Sequence, residues 1–176
     1  MTGRLFNFDK QLAASQTADV DKLVARALRE KFGDELLNIH RSHEHNDRLG
    51  SDYALEFIGG KYEHLDVKIR SKDYAPNNVA LEYRTGKKDG WVIDTSKITD
   101  WLLFVWMDTG KSSLHHARML RVIARKHAQE WQQTAHQSTQ TSNGGYSSPA
   151  MYVSDRDIWA AEYRHFSCNP APKARP

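Results

Sequence analysis

Cysteine is nearly absent: Cys168 is the only one in 176 residues. An intramolecular disulfide is therefore impossible, and a zinc site built on cysteines is excluded. Long apolar runs are also missing. None approaches the roughly 20 residues that a membrane helix needs, so no membrane partner is expected. Met1 to Lys10 holds no signal-peptide core. With the lone cysteine, this sets the expectation of a cytoplasmic protein. A strong excess of one charge is lacking as well. Lys and Arg number 25 against 22 Asp and Glu, for a net charge of +3. Taken alone, that total is too small to announce a nucleic-acid partner. What remains is 39% hydrophobic residues and a mean hydropathy of −0.72. The length supports one domain with a sizeable core.

The charge is unevenly laid out. Acids and bases balance over 1–90, so the excess lies in 91–176. Between Lys111 and His127 stand Lys111, Arg118, Arg121, Arg125 and Lys126, with no acid. A second basic stretch runs from Lys61 to Lys88. Such asymmetry says more about partners than the total does.

Periodicity predicts a mixed α/β domain around one central sheet. Val20, Leu23, Val24, Ala27 and Leu28 recur at helical spacing, which predicts an amphipathic helix over 19–32. Asp19 and Asp21 suit its positive end, and Gly33 suits its stop. Leu36–Ile39 reads as a short strand, and 40–50 as a polar loop. Residues 52–58 and 64–70 read as the strands of a hairpin turned by Gly59, Gly60 and Lys61. Residues 79–84 and 91–93 read as further strands. The apolar run 101–107 suits a strand buried on both faces. Ser112 or Ser113 then caps a predicted helix reaching about Gln133. Residues 132–148 are polar and read as a flexible loop within a single domain spanning 1–168. Ala150–Val153 suggests a strand, Ser154 the cap of a last helix, and 169–176 a disordered tail.

The chemistry concentrates in one stretch. Asp52 opens the first hairpin strand, and Asp66-Val67-Lys68 lies on the second. Asp66 and Lys68 are two apart and share a face. Hairpin pairing can bring Asp52 alongside them. Two close carboxylates repel, and a hard cation such as Mg²⁺ resolves the repulsion with oxygen ligands. Metal-bound water is more acidic than bulk water. Lys68 is suited to position that water or to offset charge on a phosphate. The competing reading is an exposed hairpin with a cross-strand salt bridge.

This pattern resembles the PD-(D/E)XK nucleases of restriction-endonuclease-like fold, in small phage and bacterial forms. Their signature is an acid at one strand start, then Asp or Glu, any residue, and Lys on the next. The resemblance covers roughly 17–130 and implies an αβββαβ core. It implies Mg²⁺-dependent hydrolysis of phosphodiesters, in DNA above RNA, with Mn²⁺ as a substitute. Carried over, Asp52 and Asp66 are metal ligands, the Val67 carbonyl completes the shell, and Lys68 is the catalytic lysine. Ser51 stands in place of the family's common proline. The family's first helix often adds an acid, for which Asp21 and Glu30 both stand as candidates. Many such folds form homodimers to cut two strands, although nothing in the sequence fixes this. The other reading is a nuclease-fold module that binds nucleic acid or protein without cutting.

Several residues stand beside that core pattern. Glu82 is either a third ligand or an ordinary exposed glutamate. Arg70, Lys72 and Arg84 are placed to meet phosphate. Arg118, Arg121 and Arg125 form one helical stripe, which either contacts nucleic-acid backbone or is a solvated face. His40, His43 and His45 lack a strong zinc spacing. The tryptophans read mostly as core, with one available to stack on a base.

Overall fold

The structure is a computed structural model that describes residues 18–70, 77–85, 88–134, 136–141 and 147–168. Lys72, residues 135 and 142–146 of the predicted flexible loop, and the predicted tail 169–176 lie outside these. The chain begins with α1 (Ala18–Phe32), which keeps Asp19 and Asp21 in its first turn. Val20, Val24, Ala27 and Leu28 form its buried stripe. A 3-10 turn at Gly33–Glu35 leads into β1 (Leu36–Arg41). A short helix, α2 (Glu44–Arg48), precedes β2 (Tyr53–Phe57) and β3 (Lys61–Arg70). Gly59 and Gly60 take φ of +86° and +77°, a conformation that side chains disfavour, and so close the tight hairpin.

Next come β4 (Asn78–Glu82) and a small hairpin of β5 (Arg84–Thr85) and β6 (Lys88–Asp89). They are followed by β7 (Trp101–Trp106) and β8 (Lys111–His116). Two helices follow, α3 (Ala117–Lys126) and α4 (Ala128–Thr134). The described chain ends with β9 (His136–Thr141), β10 (Ser147–Ser154) and α5 (Asp155–Cys168). Ser154 caps α5 by accepting the Asp157 N–H at 3.1 Å, as its position predicts.

The α/β class holds, but one central sheet does not. Five strands form a mixed sheet in the order β1-β2-β3-β7-β8, with β3 and β7 parallel. A separate sheet has the order β4-β10-β9, and β5 pairs with β6. On one face of the large sheet, α1 covers Tyr53, Leu55, Leu65 and Leu103. On the other, α3 and α5 join β4 and β10 over Leu102, Phe104 and Trp106. The run 101–107 is buried on both sides through Trp106, as its unbroken apolarity predicts.

Four further expectations are corrected. The stretch after Ser112 begins as strand β8, because Leu103 and Phe104 face Leu114 and Ser113 across a ladder. Its helical part is split in two after Lys126. Residues 40–50 are not all loop, since His40 and Arg41 extend β1 and α2 follows. Trp91–Ile93 is a turn closed by N–H bonds from Ile93 and Asp94 to the Gly90 carbonyl. The flexible-loop reading of 132–148 fails in part: α4 reaches Thr134, and β9 pairs with β10 despite its polar sequence.

Candidate metal and phosphodiester site

The β2–β3 hairpin builds the site. Tyr53 faces Leu65 in register, which carries Asp52 alongside Asp66 at the end of the ladder. The Asp52 N–H donates to the Leu65 carbonyl at 2.8 Å. Its Oδ2 in turn accepts the Val67 N–H at 2.6 Å. This short contact fixes one carboxylate oxygen against the backbone of the Asp-x-Lys strand. In-register neighbours on β3 and β7 share a face, so Asp66, Lys68 and Arg70 lie on the side of Leu102, Phe104 and Trp106. Leu65, Val67 and Ile69 join the core under α1, as alternation predicts.

Asp66 is 8% exposed and forms an ion pair with Lys68, Nζ to Oδ2 at 2.8 Å. Burial opposes the Lys68 charge, but Asp66, Glu82 and Asp52 outweigh it, so the ammonium is held above the ordinary lysine pKa. Asp52 behaves in the opposite way. Burial raises its pKa first, and Asp66 adds to the rise, against the opposing pull of Lys68 and the Val67 N–H. The result is a carboxyl pushed up to about 7.

A hydrogen bond that the protonated Asp52 carboxyl donates to Asp47 adds to the rise. Asp47 is the residue that the sequence did not disclose. It sits on α2, whose end turns back through N–H bonds from Gly50 to the Asp47 carbonyl and from Ser51 to the Asn46 carbonyl. The available signal was the Leu49-Gly50 pair, which closes such a short helix and returns it to the strand. Ser51, at the proline position, is buried, and its hydroxyl bridges Ser42, the Tyr53 carbonyl and His64 Nδ1.

The two first-helix candidates each have partners of their own. Asp21 is engaged by Arg41 at 2.7 Å and by the Tyr53 hydroxyl. Glu30 pairs with Arg26 on the surface. Glu82 does reach the site electrostatically, through Lys68. Its strand gets there by joining the β4-β10-β9 sheet, not by pairing with β3. Among the described residues, no three or more His, Cys, Asp or Glu gather closely enough to hold a metal ion. The candidate donors among the described residues are the Asp52 and Asp66 carboxylates and the Val67 carbonyl.

The basic residues divide. Arg121 on α3 is near enough for Asp66 to act on its charge. Burial lowers its pKa, while Asp94 and Asp66 work against that. Its Nε also donates to the Trp91 carbonyl at 3.1 Å. Arg125 donates to the carbonyls of Val92 and Ile93. Thus two members of the predicted arginine stripe, Arg121 and Arg125, brace the 91–93 turn, and Arg118 is exposed. Arg70 is buried, with its guanidinium 6.0 Å from the Tyr152 ring centroid and its Nε without a hydrogen-bond partner among the described residues. Arg84 lies in β5, beyond which its side chain is not described. His40 pairs with Glu56, and His43 precedes α2, so the histidines form no joint site.

Access comes from one side. The face bearing Asp66 continues across β2 and β1 as His64, Ala54 and His40, then as Tyr62, Glu56 and Asn38. These are exposed or half-buried, because α3 and α5 cover only the β7–β8 half. The carboxylates therefore stand where the covered half of the sheet meets the open half. Compared with models of protein families, with curated proteins and with solved structures, the chain gives no match in any of the three.

Proposed function

We propose that this chain is a metal-dependent nuclease, hydrolysing phosphodiester bonds as a DNA endonuclease. The observation that carries the reading is the hairpin cluster: Asp52 and Asp66 repelling one another beside a lysine held charged. The order of α1, β1, β2 and β3 around it also supports the finer reading of a restriction-endonuclease-like core.

The residues present fit a hard divalent cation. Burial and the neighbouring Asp66 charge together push the Asp52 pKa to about 7, a positive ion would relieve both, and oxygen donors suit Mg²⁺ or Mn²⁺. Asp52 and Asp66 would hold it, with the Val67 carbonyl. Bound there, the ion supplies a more acidic water and neutralises phosphate charge. Lys68 keeps its proton, so it serves as a hydrogen-bond donor that orients the attacking oxygen or the phosphate, not as the base. Glu82 holds Lys68 charged, and we assign it that role in place of metal ligation. Arg121 lends positive charge on the α3 side. The Asp52–Val67 contact limits rotation of the carboxylate, so it is oriented before substrate arrives.

The test is cleavage of labelled duplex, branched and single-stranded DNA and of RNA, with Mg²⁺, Mn²⁺ or EDTA. Asp66→Ala and Lys68→Ala should each reduce cleavage by about 100-fold or more. Cleavage in EDTA, or cleavage unchanged in both variants, would sink the reading. Calorimetric titration with Mg²⁺ should show a site in the wild type that Asp66→Ala lacks.

A further inference from the structure

The α1 face of the large sheet carries a feature that the hairpin chemistry does not use. Where α1 ends and the β2–β3 hairpin turns, there is a cavity of about 420 Å³, a size that suits a small organic ligand. Phe32, Phe57 and Trp101 line it. Phe32 stands at 88° to the Phe57 ring and 74° to the Trp101 ring, with centroids 5.1 Å apart in each pair. The charged residues of the lining are Glu35, Glu63 and Lys61, an excess of one acid. Arg29 and Lys31, in the last turn of α1, are not part of it. Glu63 alternates with Leu65, which packs under α1, so the cavity lies on the side of the sheet away from Asp66.

A cation already marks one position. Lys61 Nζ stands over the Phe57 ring, 6.0 Å from its centroid, and pairs with Glu63 at 2.5 Å. Glu63 also accepts the Trp101 indole N–H at 2.6 Å. Burial opposes the Glu63 charge, but Lys61 and Trp101 outweigh it and hold the carboxyl below its ordinary range. The Lys61 side chain is 68% exposed, so its ammonium can swing into water and leave the ring. Glu35 is exposed and has no ion-pair partner among the described residues.

We propose that this cavity binds an alkylated ammonium ion, which takes the place of Lys61 over the Phe57 ring and faces Glu35 and Glu63. The ring quadrupole attracts positive charge. A primary ammonium such as that of Lys61 is strongly hydrated and holds to water, whereas alkyl groups around the nitrogen present apolar surface to the rings. The acidic lining selects a cation over the other ligand that aromatic walls suit. A nucleotide would stack here too, but its phosphate would meet Glu35 and Glu63.

The experiment is an NMR titration of the full chain, read at the Trp101 indole N–H. The probes are tetramethylammonium, choline, the neutral choline isostere 3,3-dimethylbutanol, and AMP. Both cations should give saturable shifts, and the isostere should bind roughly fivefold more weakly or worse. Phe57→Leu should weaken choline binding by about tenfold. Glu35→Gln should weaken it by about threefold. Lys61→Met should strengthen it, because the internal competitor is gone and Glu63 is left without its ion pair. Glu35 and Lys61 are exposed, so these two variants carry the test even if the buried Phe57 does not tolerate replacement. The proposal is overturned if neither cation gives a saturable shift, or if the isostere binds as well as choline. It is equally overturned if AMP binds in preference, or if Lys61→Met weakens choline binding. None of these readouts depends on catalysis.

Discussion

The Asp52 carboxyl keeps its proton to about pH 7 because burial and the Asp66 charge both oppose ionisation. Its pKa in the unfolded chain is the ordinary 3.8. Proton binding therefore favours the folded state, and that stabilisation is complete below about 3.8. It is lost as pH rises through 7, above which the ionised group works against the fold. Asp52→Asn removes the titration. In the absence of metal the variant should be more stable than wild type by about 1–3 kcal/mol above pH 7, after allowance for solvent screening. The advantage should shrink toward pH 4. Denaturant midpoints at several pH values check this, and an advantage that grows on acidification refutes it. His115 gives the same sign of pH dependence, this time from a group that is charged when it stabilises. It lies between Asp155 at 2.9 Å and Glu162 at 3.1 Å, with its ring 4.9 Å from that of Trp159. Burial opposes its charge, but the two carboxylates outweigh it and raise its pKa. The stability it contributes is full below the ordinary imidazole pKa and is lost as pH rises through the raised value. His115→Gln should thus cost roughly 2–4 kcal/mol near pH 6 and less in alkali, again read from denaturation midpoints.

Helix α2 and the turn after it do for Asp47 and Asp52 what the hairpin does for Asp66. Gly50 has φ +83°, and a Cβ there would stand 2.8 Å from the Thr99 hydroxyl, which donates to the Gly50 carbonyl. Gly50→Ala should therefore destabilise the chain by roughly 1–3 kcal/mol. It should also loosen Asp52, seen as weaker Mg²⁺ binding, whereas Gly59→Ala, with open space around it, should spare the metal. The elements with clean periodicity were legible in advance: α1 from its 3.6-residue stripe, β3 from its alternation, β7 from its unbroken apolarity. Asp52, Asp66 and Lys68 came with them because a hairpin is local. The misread elements share a cause. Strand β8 holds Ser112, Ser113, His115 and His116, which carry no alternation of polarity, and its buried polar side chains are satisfied by α5, a partner remote in sequence. Polar β9 pairs with β10 in an antiparallel backbone ladder, which its polar sequence does not announce. Asp47 and the approach of Glu82 and Arg121 arise from elements meeting across the chain, which no local spacing encodes.

At the scale of the molecule, one sheet carries a core on each side, and the hairpin belongs to both. Leu65 packs beneath α1, while Asp66 looks toward the layer that contains β4, α3 and α5. Helix cover ends at β7–β8, and this leaves the β1–β3 half of that layer open beside the carboxylates. Among the described residues no helix is long and apolar enough to cross a membrane. The parallel ladder has a further consequence, which concerns time. Strand β3 ends at Arg70, and its partner β7 begins only at Trp101. The β2–β3 hairpin needs no such closure and forms on the order of 1–10 μs, whereas the ladder must wait for a long loop. The two acids thus meet before Glu82 and Arg121 arrive. During refolding at pH 8 the nascent hairpin sets two negative charges against the single positive charge of Lys68, and this excess delays the step that docks β7. Millimolar Mg²⁺ should then quicken refolding of the wild type in stopped-flow fluorescence of the tryptophans, with no such effect on Asp52→Asn. Equal acceleration of both would show that the carboxylate pair is not what slows the chain.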